Sequence, residues 1–379
     1  MRTRLAVFIR RNRANRWDTQ RTLPRTSMQH PRPLRLWCWE GYNHASILEP
    51  YSARHGVAVS AQTLISDASA AHAARTVPDS TDILNINNAY IAKDLYPAGR
   101  IEALRQSRYE DAQAAMLPQF ERLFRWAWSP DGSTLLGLCQ RFGAFNLVVN
   151  TRCVSAARAI DEGFALVNDA ALPFGVLRYD DFNIFHICIA ADINPFLRLS
   201  EQQVSAYTAM ANYWLANAVV VSDDHHALNT ALLERRIAYY LSGGTFTASP
   251  ARIAGHWQIE AITPRSGPID GRGGIAFAEI TAKLVTTEPH RGADAFLDYM
   301  LEAQTAARIA MLPATCNPVA QMGSEKVMRR FSREQLAAIQ WETLEQDIAR
   351  CAVYDLVPDH TRLLDILRQA AQRRSELDG

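Results

Sequence analysis

The chain has 379 residues, 48% of them hydrophobic and 21% charged, an ordinary composition for a globular protein with apolar material for two lobes. Its 40 basic and 39 acidic side chains nearly cancel, so net charge gives no support for nucleic-acid binding. No apolar run approaches the roughly 20 residues that a membrane-spanning helix needs.

Residues 1–33 differ from the rest. They are rich in arginine and carry a single acid, Asp18. The apolar run Leu5–Ile9 is followed at once by Arg10 and Arg11, which is shorter than the roughly 7–15 residues of a secretory h-region. The segment reads as a disordered basic tail or as the product of an upstream start codon, with Met28 as an alternative start and targeting as the other reading.

The alternation in Leu34–Trp39 predicts a first strand, broken at Gly41-Tyr42. A helix over 47–56 should end at Gly56. Val57–Ser60 reads as a strand, 69–75 as a helix, Asp82–Ile86 as a strand, and Ile91–Tyr96 as the start of another helix. This rhythm implies a parallel sheet covered by helices. Gly132–Val149 reads as strand, turn and strand, and Phe174–Leu177 as a strand. Helices are predicted over 201–216 and 228–236, then strands at Ile237–Leu241 and Ile275–Ile280. The last helices should cover 293–310, 332–350 and about 358–373. The pattern restarts near residue 145 with no flexible junction, which suggests a second lobe tied to the first by strands.

The order of these features resembles that of bacterial solute-binding proteins of the spermidine/putrescine-binding type. The resemblance is carried by Leu36-Trp37-Cys38-Trp39-Glu40-Gly41-Tyr42, Ile47-Leu48-Glu49-Pro50-Tyr51, His55-Gly56-Val57-Ala58-Val59, Asp82-Ile83-Leu84 with Tyr90, and Gly99-Arg100-Ile101-Glu102. It continues in Gly143–Asn150, Leu177-Arg178-Tyr179-Asp180-Asp181, Leu241–Gly244, Gly274–Glu279 and Leu312–Asn317, and covers most of residues 34–325. It implies a type II periplasmic-binding-protein fold, two α/β lobes with a ligand cleft between them. Lobe 1 is expected from 34–144 with 278–325, and lobe 2 from 145–277 with 326–379. The implied function is capture of a small amine-bearing solute (polyamine, amino acid or opine-like) for an ABC transporter membrane permease. The protein would be a periplasmic monomer, with a cytoplasmic location as the alternative, and no cofactor, metal or nucleic acid is implied.

A cleft for an amine needs aromatic faces for the cation and carboxylates for its N–H groups. Trp39, Tyr42, Tyr90, Phe142 and Phe277 fall where the resemblance places aromatic walls. Glu279 ends an apolar strand at the amine-anchoring position, and Glu40, Asn87, Asp181 and Gly243 complete the expected ligand-binding set. Trp39 and Tyr42 sit at the carboxyl end of the first strand, where open α/β sheets bind ligands. Two departures stand out: Phe182-Asn183-Ile184 where the family has an acid, and Leu241-Ser242-Gly243 in place of Trp-Asn-Gly. Arg141 beside the cleft would disfavour a long diamine and favour a smaller or zwitterionic amine.

The rival reading is a cytoplasmic enzyme on the same clamp, thiaminase-like, with Cys38, Cys139 or Cys316 as nucleophile and His44 or Glu40 as base. The six cysteines are scattered without a CxxC pair, which favours free thiols over a disulfide or zinc framework. His225-His226 reads as a solvated turn rather than a metal site, since adjacent residues point to different sides. No residue is assigned a catalytic role.

Overall fold

The computed structural model describes residues 32–312 and 316–378, so the readings of the basic segment, of Met28 and of Pro313-Ala314-Thr315 fall wholly or largely outside the described residues. Its strands in chain order are β1 (Leu34–Cys38), β2 (Val59–Thr63), β3 (Ile83–Asn87), β4 (Ile101–Glu102), β5 (Leu138–Asn150), β6 (Phe174–Leu177), β7 (Val220–Ser222), β8 (Tyr239–Gly244), β9 (Ile259–Ile262), β10 (Gly274–Leu284) and β11 (Cys351–Val353). Among the described residues they form one sheet in the order β2-β1-β3-β10-β5-β8-β6-β7, with β11 and β4 on β10 and β9 on β5.

The two ends of that order are parallel and helix-covered, as the sequence rhythm requires: β1 pairs in parallel with β2 and β3, and β6 with β7 and β8. The middle is antiparallel. Leu138–Phe145 of β5 runs against β10, and Phe145–Asn150 runs against β8 and β9. Residues Glu279–Lys283 of β10 pair with β3, while Gly274–Ala276 pair with β11. Both long strands therefore belong to each half of the sheet, giving two α/β lobes of the type II periplasmic-binding-protein fold joined through continuous strands.

Local chemistry accounts for the element ends. Helix Ala45–His55 stops where Gly56 takes the left-handed conformation, φ 62°, that glycine adopts without strain. Helix Asp67–Thr76 begins at Ser66, whose hydroxyl accepts from the Ser69 N–H. The structure also departs from expectation. The strand, turn and strand predicted over 132–149 is instead the unbroken β5, and all thirteen of its residues are buried. The predicted helix over 293–310 divides at Glu302, and that over 332–350 divides near Gln340, which has φ 52°. Helices Asp180–Ala190 and Thr245–Ile253, which the sequence pattern did not predict, follow directly on β6 and β8.

β5 carries an irregularity that matters for the site. Its pairing with β10 shifts between Ala278 and Ile280, so that Gln140 and Arg141 together face the single Glu279. A bulge of this kind re-aims side chains without ending the strand.

Candidate functional site

The carboxyl ends of β1, β3 and β6 and the middle of β5 and β10 surround a cavity that is open to solvent at its mouth. Rings dominate its lining: Trp39 from lobe 1, Phe145 and Phe277 from the crossing strands, and Tyr179, Phe182 and Phe246 from lobe 2. They form a connected wall. Phe145 lies 4.3 Å from Phe182 and 5.8 Å from Tyr179, centroid to centroid, and Trp39 meets Tyr179 edge-on at 6.3 Å.

Acids stand among the rings. Asp67 opens helix Asp67–Thr76 and is 1% exposed. Its Oδ1 accepts from Trp39 Nε1 at 2.9 Å and from the Asn87 N–H at 3.4 Å, and its Oδ2 accepts from Asn87 Nδ2 at 2.7 Å and Tyr354 OH at 3.2 Å. Burial, reinforced by the charge of Asp181, raises its pKa to about 7 despite those donors. Asp181, in the first turn of the facing helix Asp180–Ala190, bonds His360 Nε2 at 2.6 Å. Burial works against a charged His360, but the hydrogen bond to Asp181 and the charges of Asp181 and Asp180 outweigh it, so its pKa is raised. Glu40 reaches across the mouth, accepting from Tyr179 OH at 3.0 Å.

Glu279 is arranged differently. Arg141 Nε and Nη2 donate to its two oxygens, each at 2.9 Å, and Tyr42 OH donates to Oε2 at 2.7 Å. The Arg141 guanidinium is sandwiched between the Tyr42 and Phe246 rings, 4.6 and 5.4 Å from their centroids. The bulge in β5 is what brings Arg141 opposite Glu279. The pair is electrically neutral, so the negative field of the cavity is left to Glu40, Asp180 and Asp181, joined by Asp67 as it ionises near pH 7.

Of the residues singled out from sequence, Trp39, Glu40, Asn87, Asp181, Phe277 and Glu279 line this one cavity. Glu279 does so with its carboxylate already occupied by Arg141, not free to anchor an amine. Tyr42 lies one layer deeper, 1% exposed against Arg141. Tyr90 packs 6.3 Å from Tyr354, away from the lining. Phe142 sits 5.0 and 5.1 Å from Phe120 and Phe124 in the core, because alternation along β5 turns it away from Phe145. Gly243 lies against Tyr240, Thr247 and Val148, so it supports the wall from inside the core. Sequence reasoning missed Asp67, Phe145 and Phe246, and took Phe182 only as a departure. The signal for Phe145 was present, since strand alternation groups it with Arg141 and Gly143. Asp67 after Ser66 looks like any capped helix start.

The thiols are poor nucleophiles. Burial pushes Cys38, Cys139 and Cys316 up to about 12, with the Arg141 charge opposing the rise at Cys38. His225 and His226 begin helix His225–Leu233 behind Asp224, whose Oδ1 accepts from the His226 N–H. Among the described residues no group of three or more His, Cys, Asp or Glu side chains is placed to hold a metal ion.

No family model matches the chain, and no curated protein matches it in sequence. Solved structures do match its fold. A protein described as a spermidine/putrescine ABC transporter from Listeria monocytogenes is 14% identical, with a TM-score of 0.69 over 90% of this chain and 98% of that one. The spermidine/putrescine ABC transporter substrate-binding protein PotD from Streptococcus pneumoniae is 13% identical, with a TM-score of 0.64 over 90% and 99%. MotA from A. tumefaciens, solved with glucopine, is 14% identical, with a TM-score of 0.56 over 91% and 99%. At these identities the likeness establishes the fold.

Proposed function

We propose that this chain is a substrate-binding protein that captures a small amine-bearing solute and presents it to an ABC transporter permease. Lobe 1 would comprise about residues 34–144 and 278–325, and lobe 2 about 145–277 and 326–379. The observation that carries the reading is the pair of buried carboxylates Asp67 and Asp181, one from each lobe, in a cavity walled by six rings. Ring faces attract a cation by about 0.5–2 kcal/mol each, and a carboxylate adds charge-assisted hydrogen bonds. A ligand that touches both lobes favours their closed arrangement, which is the state a transporter can recognise. Solved structures of the same fold include proteins described by spermidine/putrescine transport and a protein bound to glucopine, and this supports a place for the protein on the outer side of the membrane.

Nothing at the site favours the enzymatic alternative, because Cys38, Cys139 and Cys316 are buried outside the cavity lining and protonated at neutral pH. The test is a thermal-shift screen of polyamines, amino acids and opines, followed by mass spectrometry of any compound that raises the melting temperature. Recovery of the compound unchanged, with no adduct on the chain, is the expected result. Time-dependent product that vanishes in Cys38→Ser, Cys139→Ser or Cys316→Ser would overturn the reading.

A further inference from the structure

We propose that the cleft selects a zwitterion, its ammonium donating to Asn87 Oδ1 beside Asp67 and Asp181 and its carboxylate accepting from Arg141 Nη1. The inference rests on the amine-binding reading above and narrows it to one class of solute.

Two cavity-lining side chains carry it. Asn87 is 4% exposed and Arg141 is 1% exposed. When Asp67 is ionised only the amide nitrogen of Asn87 can donate to it, so that bond sets the orientation of the amide. That leaves Asn87 Oδ1 buried with no donor. Arg141 spends Nε and Nη2 on Glu279, and its Nη1 is buried with no acceptor. A buried polar atom without a partner is costly, and most such atoms in folded proteins find one. Two lining residues thus each hold a buried atom without a partner, one short of a donor and the other short of an acceptor.

Their placement is complementary as well. Asn87 on β3 is paired with Glu279 on β10, and Glu279 faces Arg141 on β5 across the bulge. The two orphan atoms thus belong to positions two strand spacings apart, about 10 Å between backbones, with the neutral Arg141–Glu279 pair closing the Arg141 end. Asp67 and Asp181 lie at the Asn87 end, where they favour positive charge. The guanidinium of Arg141 lies at the other end, where it favours negative charge. Asp67 itself already accepts four hydrogen bonds, so it supplies field rather than a vacant lone pair, and Asn87 Oδ1 is the acceptor left for an N–H. A diamine would set its second ammonium against Arg141 and leave Nη1 unpaired. A trimethylated ammonium carboxylate would satisfy Arg141 but leave Asn87 Oδ1 unpaired.

The experiment is a set of length-matched probes measured by titration calorimetry on the full chain. The core set is 1,4-diaminobutane, 4-aminobutanoate and 4-(trimethylammonio)butanoate, extended to shorter and longer homologues and to L-α-amino acids. The expected result is that an N–H-bearing zwitterion binds at least about tenfold more tightly than the diamine and the trimethylated compound of its own length, the effect of one unmade charged hydrogen bond. The double variant Arg141→Gln/Glu279→Gln, which removes both charges together, should abolish that preference. If it does not fold, Arg141→Met/Glu279→Met replaces it and should do the same. Tighter binding of the diamine, or an unchanged preference in the variant, overturns the zwitterion assignment while leaving the amine-binding reading intact. Binding by none of these compounds overturns both.

Discussion

Replacing Glu279 by Gln tests the electrostatic account of the cleft floor. In the native structure Arg141, 1% exposed, has its charge balanced by the carboxylate of Glu279 through two hydrogen bonds of 2.9 Å. Glu279→Gln keeps the volume, removes the negative charge and turns an amide NH2 or a single oxygen toward two guanidinium donors. The guanidinium cannot discharge itself in the accessible pH range. The cost is therefore that of an uncompensated buried charge, about 3–5 kcal/mol, rather than that of one hydrogen bond at about 1 kcal/mol. Against a total stability of about 5–15 kcal/mol this is a large fraction. Urea unfolding followed by circular dichroism should show the midpoint fall at nearly constant slope. The double variant Arg141→Met/Glu279→Met should lose less than either single variant, since removing both ions together leaves no stranded charge. A loss below about 1 kcal/mol in Glu279→Gln, or additivity of the two single changes within about 0.5 kcal/mol, would refute the reasoning.

Asp181→Asn should weaken binding of any cationic solute found by screening by about 1.5–3 kcal/mol, read by calorimetry; unchanged affinity would remove Asp181 from the site. Stability of the empty protein should fall as pH rises from about 4 to about 7. The folded state holds the Asp67 proton to about 7, against 3.8 for an ordinary aspartate, and so binds it more tightly than the unfolded chain does. His360, with its raised pKa, contributes in the same direction, fully below about 6.5 and lost as pH climbs through its folded value. Melting temperatures of Asp67→Asn should be flatter over that interval, and an equally steep fall in the variant would assign the effect elsewhere. Iodoacetamide at pH 8 should leave Cys38, Cys139 and Cys316 unmodified in the native state, since burial holds their thiols near 12. The partly buried Cys153, the most accessible of the six, should react first, and peptide mapping that finds Cys38 modified first would contradict the burial argument.

The architecture was legible because its signals are local. Alternation at Leu34–Cys38, the stop at Gly56 and the apolar run Ile83–Ile86 each report one strand or one helix end, and their order implies the parallel halves. The cleft was half legible. Trp39, Glu40 and Asn87 stand at or just beyond the carboxyl ends of strands, where α/β sheets expose ligands. Asp67 was not, because its burial depends on Trp39, Asn87 and Tyr354, which come from three distant stretches of chain. The neutralisation of Glu279 by Arg141 depends on a one-residue bulge, which leaves no mark in composition or periodicity. Phe142 is three residues from Phe145 on the same strand, so it faces the core while Phe145 faces the cavity.

The crossing strands also govern how the chain can be made. Tyr42 meets Glu279 across 237 residues of sequence, and β3 gains its second neighbour only when β10 is present. At about 5–20 residues synthesised per second, the first lobe waits roughly ten to fifty seconds for its missing strand. During that interval the fully buried edge of Ile83–Asn87 has nothing to pair with, and such non-local pairings close slowly even when the whole chain is available. A chain cut after β5 would lack β10, the strand that β3 and β5 share as a neighbour, and is expected to be less stable than the whole protein.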